Sequence, residues 1–113
     1  SSPLFHLATG ANVVKRVKYL NGGSKAKLGF IVEQILDSGK GITDLDKKYK
    51  SVVIVYNTTA KAVSYNVKAL KSATFILNPV QAKSVDSVVK TSKFKAGTFT
   101  VPALTVAVFM QTK

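Results

Sequence analysis

Ser51-Val52-Val53-Ile54-Val55-Tyr56 is apolar at nearly every position. A run this short and this rich in β-branched residues predicts a strand covered on both faces, and so a central one. Leu28 to Leu36 predicts a second strand, with Phe30, Val32 and Leu36 on one face and Ile31 and Ile35 on the other. Val63, Tyr65, Val67 and Ala69 alternate with Ser64, Asn66 and Lys68, the signature of a half-buried strand. Ala73, Phe75 and Leu77 alternate in the next, which Pro79 ends because proline has no N–H for a ladder. Val85 to Thr91 reads as a further short strand. The long run from Thr98 to Phe109 is divided by Pro102, which belongs at an edge or bulge.

Only Thr9 to Val17 has helical character. Thr9 caps its start, and Val13, Val14 and Val17 fall on one face. A short extended piece follows from Lys18 to Leu20, then a loop at Asn21-Gly22-Gly23-Ser24. Asp44 to Tyr49 reads as a polar loop with one helical turn, and Asn57 to Lys61 as a turn. The sum is six or seven short strands separated by turn signals and not by long helices. The fold class is all-β: an antiparallel β-sandwich with one short N-terminal helix, a small Greek-key barrel being the alternative.

Length and composition narrow the picture. At 113 residues and 46% hydrophobic the chain suits a single domain, 1–113, with enough apolar material for a core. No run approaches the about 18 apolar residues of a membrane-spanning helix. The opening Ser1-Ser2-Pro3-Leu4-Phe5 carries neither Met nor a leader pattern and reads as part of a longer polypeptide. With no cysteine there is no disulfide, thiolate metal site or thiol nucleophile.

The net charge of +12 raises the question of nucleic acid. The cations are almost all lysine, Arg16 being the sole arginine, and base-edge and phosphate recognition favours the guanidinium fork. The densest groups, Lys25/Lys27, Lys47/Lys48/Lys50 and Lys90/Lys93/Lys95, each flank a predicted turn, as solvated surface lysines do. Nucleic acid is therefore disfavoured as a partner, and an acidic partner domain stays open.

Candidate chemistry is sparse. A glycosidase needs two carboxyl groups flanking the scissile bond. The acids are Glu33, Asp37, Asp44, Asp46 and Asp86, and only Glu33 lies in a predicted strand. They read as surface ion-pair partners for lysine. His6 is the one histidine, close to the terminus, with no convincing serine partner. Asp37, Asp44 and Asp46 lack the glycine and distal glutamate of a calcium loop. Asn57-Thr58-Thr59 matches a glycosylation sequon, a pattern common by chance. Catalytic, metal and cofactor-binding residues are thus expected to be none. Aromatic platforms would serve a sugar, and without tryptophan the candidates for such contacts are Tyr49 and Tyr65.

Several stretches together resemble a known family. They are Ser1-Ser2-Pro3-Leu4-Phe5; Asp44-Leu45-Asp46-Lys47-Lys48-Tyr49 leading into Val52 to Asn57; Asn78-Pro79-Val80-Gln81 with Ser84-Val85-Asp86; and Gly97 to Ala103 with Ala107-Val108-Phe109. In this order they resemble the C-terminal domain of pullulanases and limit dextrinases, starch-debranching members of the α-amylase superfamily. Thr9 to Tyr19 matches the family's short helix and following strand. The chain departs from the pattern at His6 and Leu104, where arginine is common, and at Asn78, where histidine is common.

The resemblance implies a parent enzyme that hydrolyses α-1,6-glucosidic linkages in pullulan and branched α-glucans. Its catalytic (β/α)8 barrel would lie in the same polypeptide, N-terminal to this chain. The domain itself would be non-catalytic, packing on that barrel and stabilising it. Leu4, Phe5 and one face of the sheet are then the expected interdomain contacts, exposed as an apolar patch when the domain stands alone. An α-glucan-binding module is the alternative reading and a basic nucleic-acid-binding β-domain the second. Homologues of this kind favour an exported, extracellular bacterial setting, with a plastid the expectation for a plant or algal source; no membrane partner is expected.

Overall fold

The computed structural model describes residues 2–22 and 29–113. Part of the predicted loop (Gly23, Ser24), the Lys25/Lys27 pair and Leu28 lie outside the described residues. Within them the chain forms α1 (Gly10–Arg16), β1 (Val17–Tyr19), β2 (Phe30–Leu36), β3 (Tyr49–Asn57), β4 (Val63–Asn66), β5 (Phe75–Leu77), α2 (Pro79–Ala82), β6 (Lys93–Lys95), β7 (Thr98–Val101) and β8 (Thr105–Thr112). Single 3-10 turns occupy Pro3–Phe5, Lys68–Leu70 and Val89–Thr91.

The strands form two antiparallel sheets, a five-stranded one in the order β1-β2-β3-β8-β5 and a three-stranded one in the order β4-β7-β6. β3, the strand with the strongest pattern, lies at the centre of the larger sheet between β2 and β8. The fold is the expected β-sandwich, with eight described strands instead of six or seven.

The core fills the space between the sheets. Phe30, Val32, Val53, Val55, Phe75, Ala107 and Phe109 project from the larger sheet, and Phe99 and Val101 from the smaller. Phe75, Phe94, Phe99 and Phe109 form a chain of edge-on and tilted rings with centroids 4.7–5.2 Å apart. That spacing is the favoured range for aromatic pairs.

Turn chemistry sets the registers. Lys95 pairs with Thr98, so Ala96 and Gly97 alone make the β6–β7 turn, at φ +47° and +88°. Positive φ at both central residues gives the mirror-image turn that matches strand twist. Pro102 falls in the connection between β7 and β8, as the break in the 98–109 run predicts. Pro79 opens α2, and Asn78 caps it by accepting from the Val80 N–H at 3.0 Å. The Gln81 amide then reaches back to β8. Its Nε2 donates to Val106 O at 2.9 Å and its Oε1 accepts from Val108 N at 2.7 Å. β5 pairs with β8 only as far as Phe109, so this side chain substitutes for the missing strand.

Four local expectations fail. The alternating strand read over Val63 to Ala69 stops at Asn66, and Lys68–Leu70 is a 3-10 turn instead. Residues 85–91 are not a strand. Asp86 Oδ1 accepts from the Val88 and Val89 N–H groups at 2.9 and 3.4 Å, a local side-chain turn that competes with sheet formation. Residues 44–48 contain no helical turn, because the Asp37 and Asp46 carboxylates take up the N–H groups a helix would need. In α1, capped by Thr9 as expected, Val13 and Val14 are exposed and Arg16 is the one buried residue.

Candidate docking face

The two sheets present unlike surfaces away from the core. On the three-stranded sheet the outward residues are Ser64, Asn66, Lys93, Lys95, Thr98 and Thr100, polar throughout. The larger sheet turns outward Tyr19 and Glu33; Ile31, Tyr56 and Val106; Ile54 and Val108; and Val52, Met110 and Ile76. Glu33 is the lone charge in this set.

The chain covers only part of that apolar face. Ser2 caps the 3-10 turn Pro3–Phe5, accepting from the Leu4 N–H at 3.2 Å, and the turn drives Leu4 onto Val52, Ile35 and Met110. Leu7 and Tyr49 extend the cover. Beyond it the sheet lies open, with Ile31 and Val106 47% and 44% exposed and Tyr19 60%. The double-sided apolarity of β3 is thus met by the core on one side and only in part on the other. A groove of about 440 Å³ adjoins the covered end, floored by Met110 and Tyr49 and edged by Pro3, Lys47, Lys48 and Val80.

Leu4 corrects the expectation of an exposed contact. At 1% exposure it belongs to this domain's own second core, whereas Phe5, on the far side of the same turn, remains at the surface at 37%. Tyr65 lies against Phe30 and donates its hydroxyl to Leu20 O at 2.7 Å, so ring and hydroxyl are both occupied within the domain. Tyr49 is half-buried in the groove floor, and the two tyrosines form no common platform. His6 is exposed where the 3-10 turn ends. Asn57 is buried; its amide donates to the carbonyls of Lys61, Val101 and Pro102 at 2.9–3.1 Å, leaving no nitrogen open to glycosylation. Leu104, exposed at φ +53°, lies in the β7–β8 connection.

The carboxylates are occupied structurally. Arg16 Nη1 donates to Asp37 Oδ1 at 2.8 Å and to Leu36 O at 3.1 Å, and Nη2 donates to Thr43 O at 2.6 Å. Asp37 also accepts from the N–H groups of Leu45 and Asp46, both at 2.7 Å. Asp46 accepts from Ser2 Oγ and from the Lys48 and Tyr49 N–H groups. This network joins α1, the end of β2, the loop ahead of β3 and the N-terminal turn that covers the sheet. Burial pushes the Asp46 carboxyl up, but the hydrogen bonds from Ser2, Lys48 and Tyr49 and the Lys113 charge together hold it below the usual carboxylate value. The hydrogen bond from Lys113, at 2.6 Å, does the same for exposed Asp44. On the open face burial and then the Glu33 charge raise the Tyr56 phenol above its usual value; its hydroxyl donates to Glu33 at 3.2 Å. The expectation of loose surface ion pairs misses the Arg16 hub. Its one signal is that a chain rich in lysine carries a single arginine.

Fold and surface define an antiparallel β-sandwich with a polar outer side and a half-covered apolar one. The chain belongs to the family of pullulanase-type alpha-1,6-glucosidase C-terminal domains, whose profile matches residues 1–112. It is similar to the chloroplastic Pullulanase 1 of Arabidopsis thaliana, at 38% identity over all of this chain and 12% of that protein. It is similar also to the pullulanase of Klebsiella pneumoniae, at 33% identity over 96% of this chain and 10% of that one. The crystal structure of PulA from Klebsiella oxytoca superposes with a TM-score of 0.88 at 30% identity, over 100% of this chain and 11% of that structure. The chain therefore spans about a tenth of the length of the curated relatives it matches.

Proposed function

We propose that this domain is a non-catalytic part of a pullulanase-type enzyme hydrolysing α-1,6-glucosidic linkages in pullulan and branched α-glucans. It packs through the open half of its five-stranded sheet on the catalytic (β/α)8 barrel of the same polypeptide and stabilises that barrel. The observation that carries this reading is the contrast between faces: Ile31, Ile54, Tyr56, Val106 and Val108 outward on one sheet, hydroxyls, amides and lysines on the other. An apolar sheet face beside a complete core is what a domain retains when its cover is another body. Phe5 lies at the edge of the contact, and Leu4 acts through the turn it anchors. The reading needs no cofactor here, and the Asp37 and Asp46 carboxylates have backbone and guanidinium partners in place of a substrate. The glucan-binding alternative draws less support, since Tyr65 faces inward. A plastid and an exported setting both accord with the chloroplastic and bacterial relatives.

The test is the pair Ile31→Lys and Val106→Lys, made both in this chain and in the polypeptide that joins it to its catalytic portion. Both sites are nearly half exposed, so the isolated domain changes stability by less than about 1 kcal/mol. In the joined polypeptide each buried lysine costs several-fold more, and heat inactivation of pullulan hydrolysis moves to lower temperature. Equal behaviour of variant and parent there refutes docking through this face.

A further inference from the structure

The opposite face carries its own pattern. Across β4, β7 and β6 the outward residues form two rows, Ser64–Thr100–Lys93 and Asn66–Thr98–Lys95. Within the rows Ser64 Oγ and Thr100 Oγ1 are 3.0 Å apart, and Asn66 Nδ2 donates to Thr98 Oγ1 at 2.9 Å. The result is a hydroxyl and amide floor whose β6 side is lysine. At its end the Ala96-Gly97 turn lies on the turn Lys68–Leu70, with Val67 N donating to Gly97 O at 2.8 Å. A Cβ built on Gly97 would come within 3.3 Å of the Lys71 backbone. Lys68 and Lys71 thereby join Lys95 at one corner, all exposed.

No acid among the described residues lies on this sheet. Glu33 is on the outer face of the other sheet, Asp37, Asp44 and Asp46 are at or beyond the end of β2 in the loop to β3, and Asp86 is in the link between α2 and β6. The positive charge here is thus uncompensated among the described residues, and the face is directed away from the proposed docking side, so docking there does not itself cover it.

We propose that this face binds a phosphate-bearing α-glucan. The floor offers sugar hydroxyls donors and acceptors, and the lysines supply compact ammonium charges for phosphate monoesters. Nucleic acid suits it less. The aromatic rings of this sheet, Tyr65, Phe94 and Phe99, face the core, leaving none to stack on bases, and the one arginine is buried elsewhere. The glucan part of the proposal rests on the function proposed above; the anion part rests on this face alone.

Binding of the 113-residue chain to phosphorylated dextrin, to the same dextrin after phosphatase treatment, and to a single-stranded oligonucleotide is measured at matched ionic strength. The variants are Lys68/Lys71/Lys93/Lys95→Gln and, with equal charge removed, Lys15/Lys18/Lys40/Lys47→Gln. The expected result is retention of the phosphorylated dextrin alone, weakened at least about fivefold by the first variant and less than about twofold by the second. Four results overturn the proposal: no binding, undiminished binding after dephosphorylation, equal loss in both variants, or tighter binding of the oligonucleotide. None of them bears on docking through Ile31 and Val106, which the joined polypeptide tests separately.

Discussion

Replacing Arg16 by methionine tests how the polar network holds the cover on the sheet. Arg16 is 2% exposed and Asp37 1%. The substitution leaves a buried carboxylate without its cation and two carbonyls, Leu36 O and Thr43 O, without the guanidinium donor. One-sided loss of a buried pair costs about 3–5 kcal/mol. Asp37 keeps the Leu45 and Asp46 N–H groups, which places the expected cost near the lower end, about 3 kcal/mol. Against a total of about 5–15 kcal/mol this is a large fraction. It corresponds to a fall in Tm of more than about 10 °C. Urea unfolding followed by far-ultraviolet circular dichroism gives the number, with the denaturant slope unchanged. Arg16→Lys keeps the charge but cannot span three acceptors and falls between methionine and wild type. Adding Asp37→Leu to Arg16→Met brings no recovery, because it orphans two backbone N–H groups. A cost below about 1 kcal/mol for methionine, or full stability with lysine, would refute the assignment of Arg16 as the hub.

Three further outcomes follow from the same geometry. Gly97→Ala places a Cβ 2.8 Å from Val67 O at φ +88°, and should cost about 1–3 kcal/mol in urea titration, loosening the corner that Lys68 and Lys71 share. Asn57→Ala removes the donor to three carbonyls and the acceptor for Thr59, and should cost about 2–4 kcal/mol by thermal unfolding. The Asp46 pKa is depressed on folding, so its contribution is present above the unfolded carboxylate value and lost as pH falls through the folded one. Wild type should therefore lose stability more steeply than Asp46→Asn as pH drops below about 4, read from unfolding midpoints across acid pH.

Alternation and proline placement made much of the fold legible. The central position of β3, the end of β5 at Pro79, the split of the 98–109 run at Pro102 and the Thr9 cap each follow from backbone chemistry within a few residues. Residues 85–91 misled because Val85, Val88 and Val89 have strand-like composition, while the Asp86 side chain supplies a local alternative that composition does not weigh. The valines of α1 misled because a helix face is buried only where something packs on it, and what reaches inward there is Arg16.

The order and spacing of short motifs were enough to place the chain in its family, since they encode turns and caps that the fold repeats. What covers each face was a tertiary matter. Leu4 and Phe5 are adjacent apolar residues, yet one is sealed against Val52 and Met110 and the other is left at the surface, because a single capped turn points them in different directions. Outward residues of both sheets alternate with inward ones in the same way, but strands distant in sequence decide their neighbours. Pairing of β2, β3 and β8 gathers Ile31, Ile54, Tyr56, Val106 and Val108 into one apolar surface, and pairing of β4, β7 and β6 gathers hydroxyls and lysines into another. A one-dimensional pattern fixes which side of a strand is apolar; only the sheet order fixes which of those sides meet.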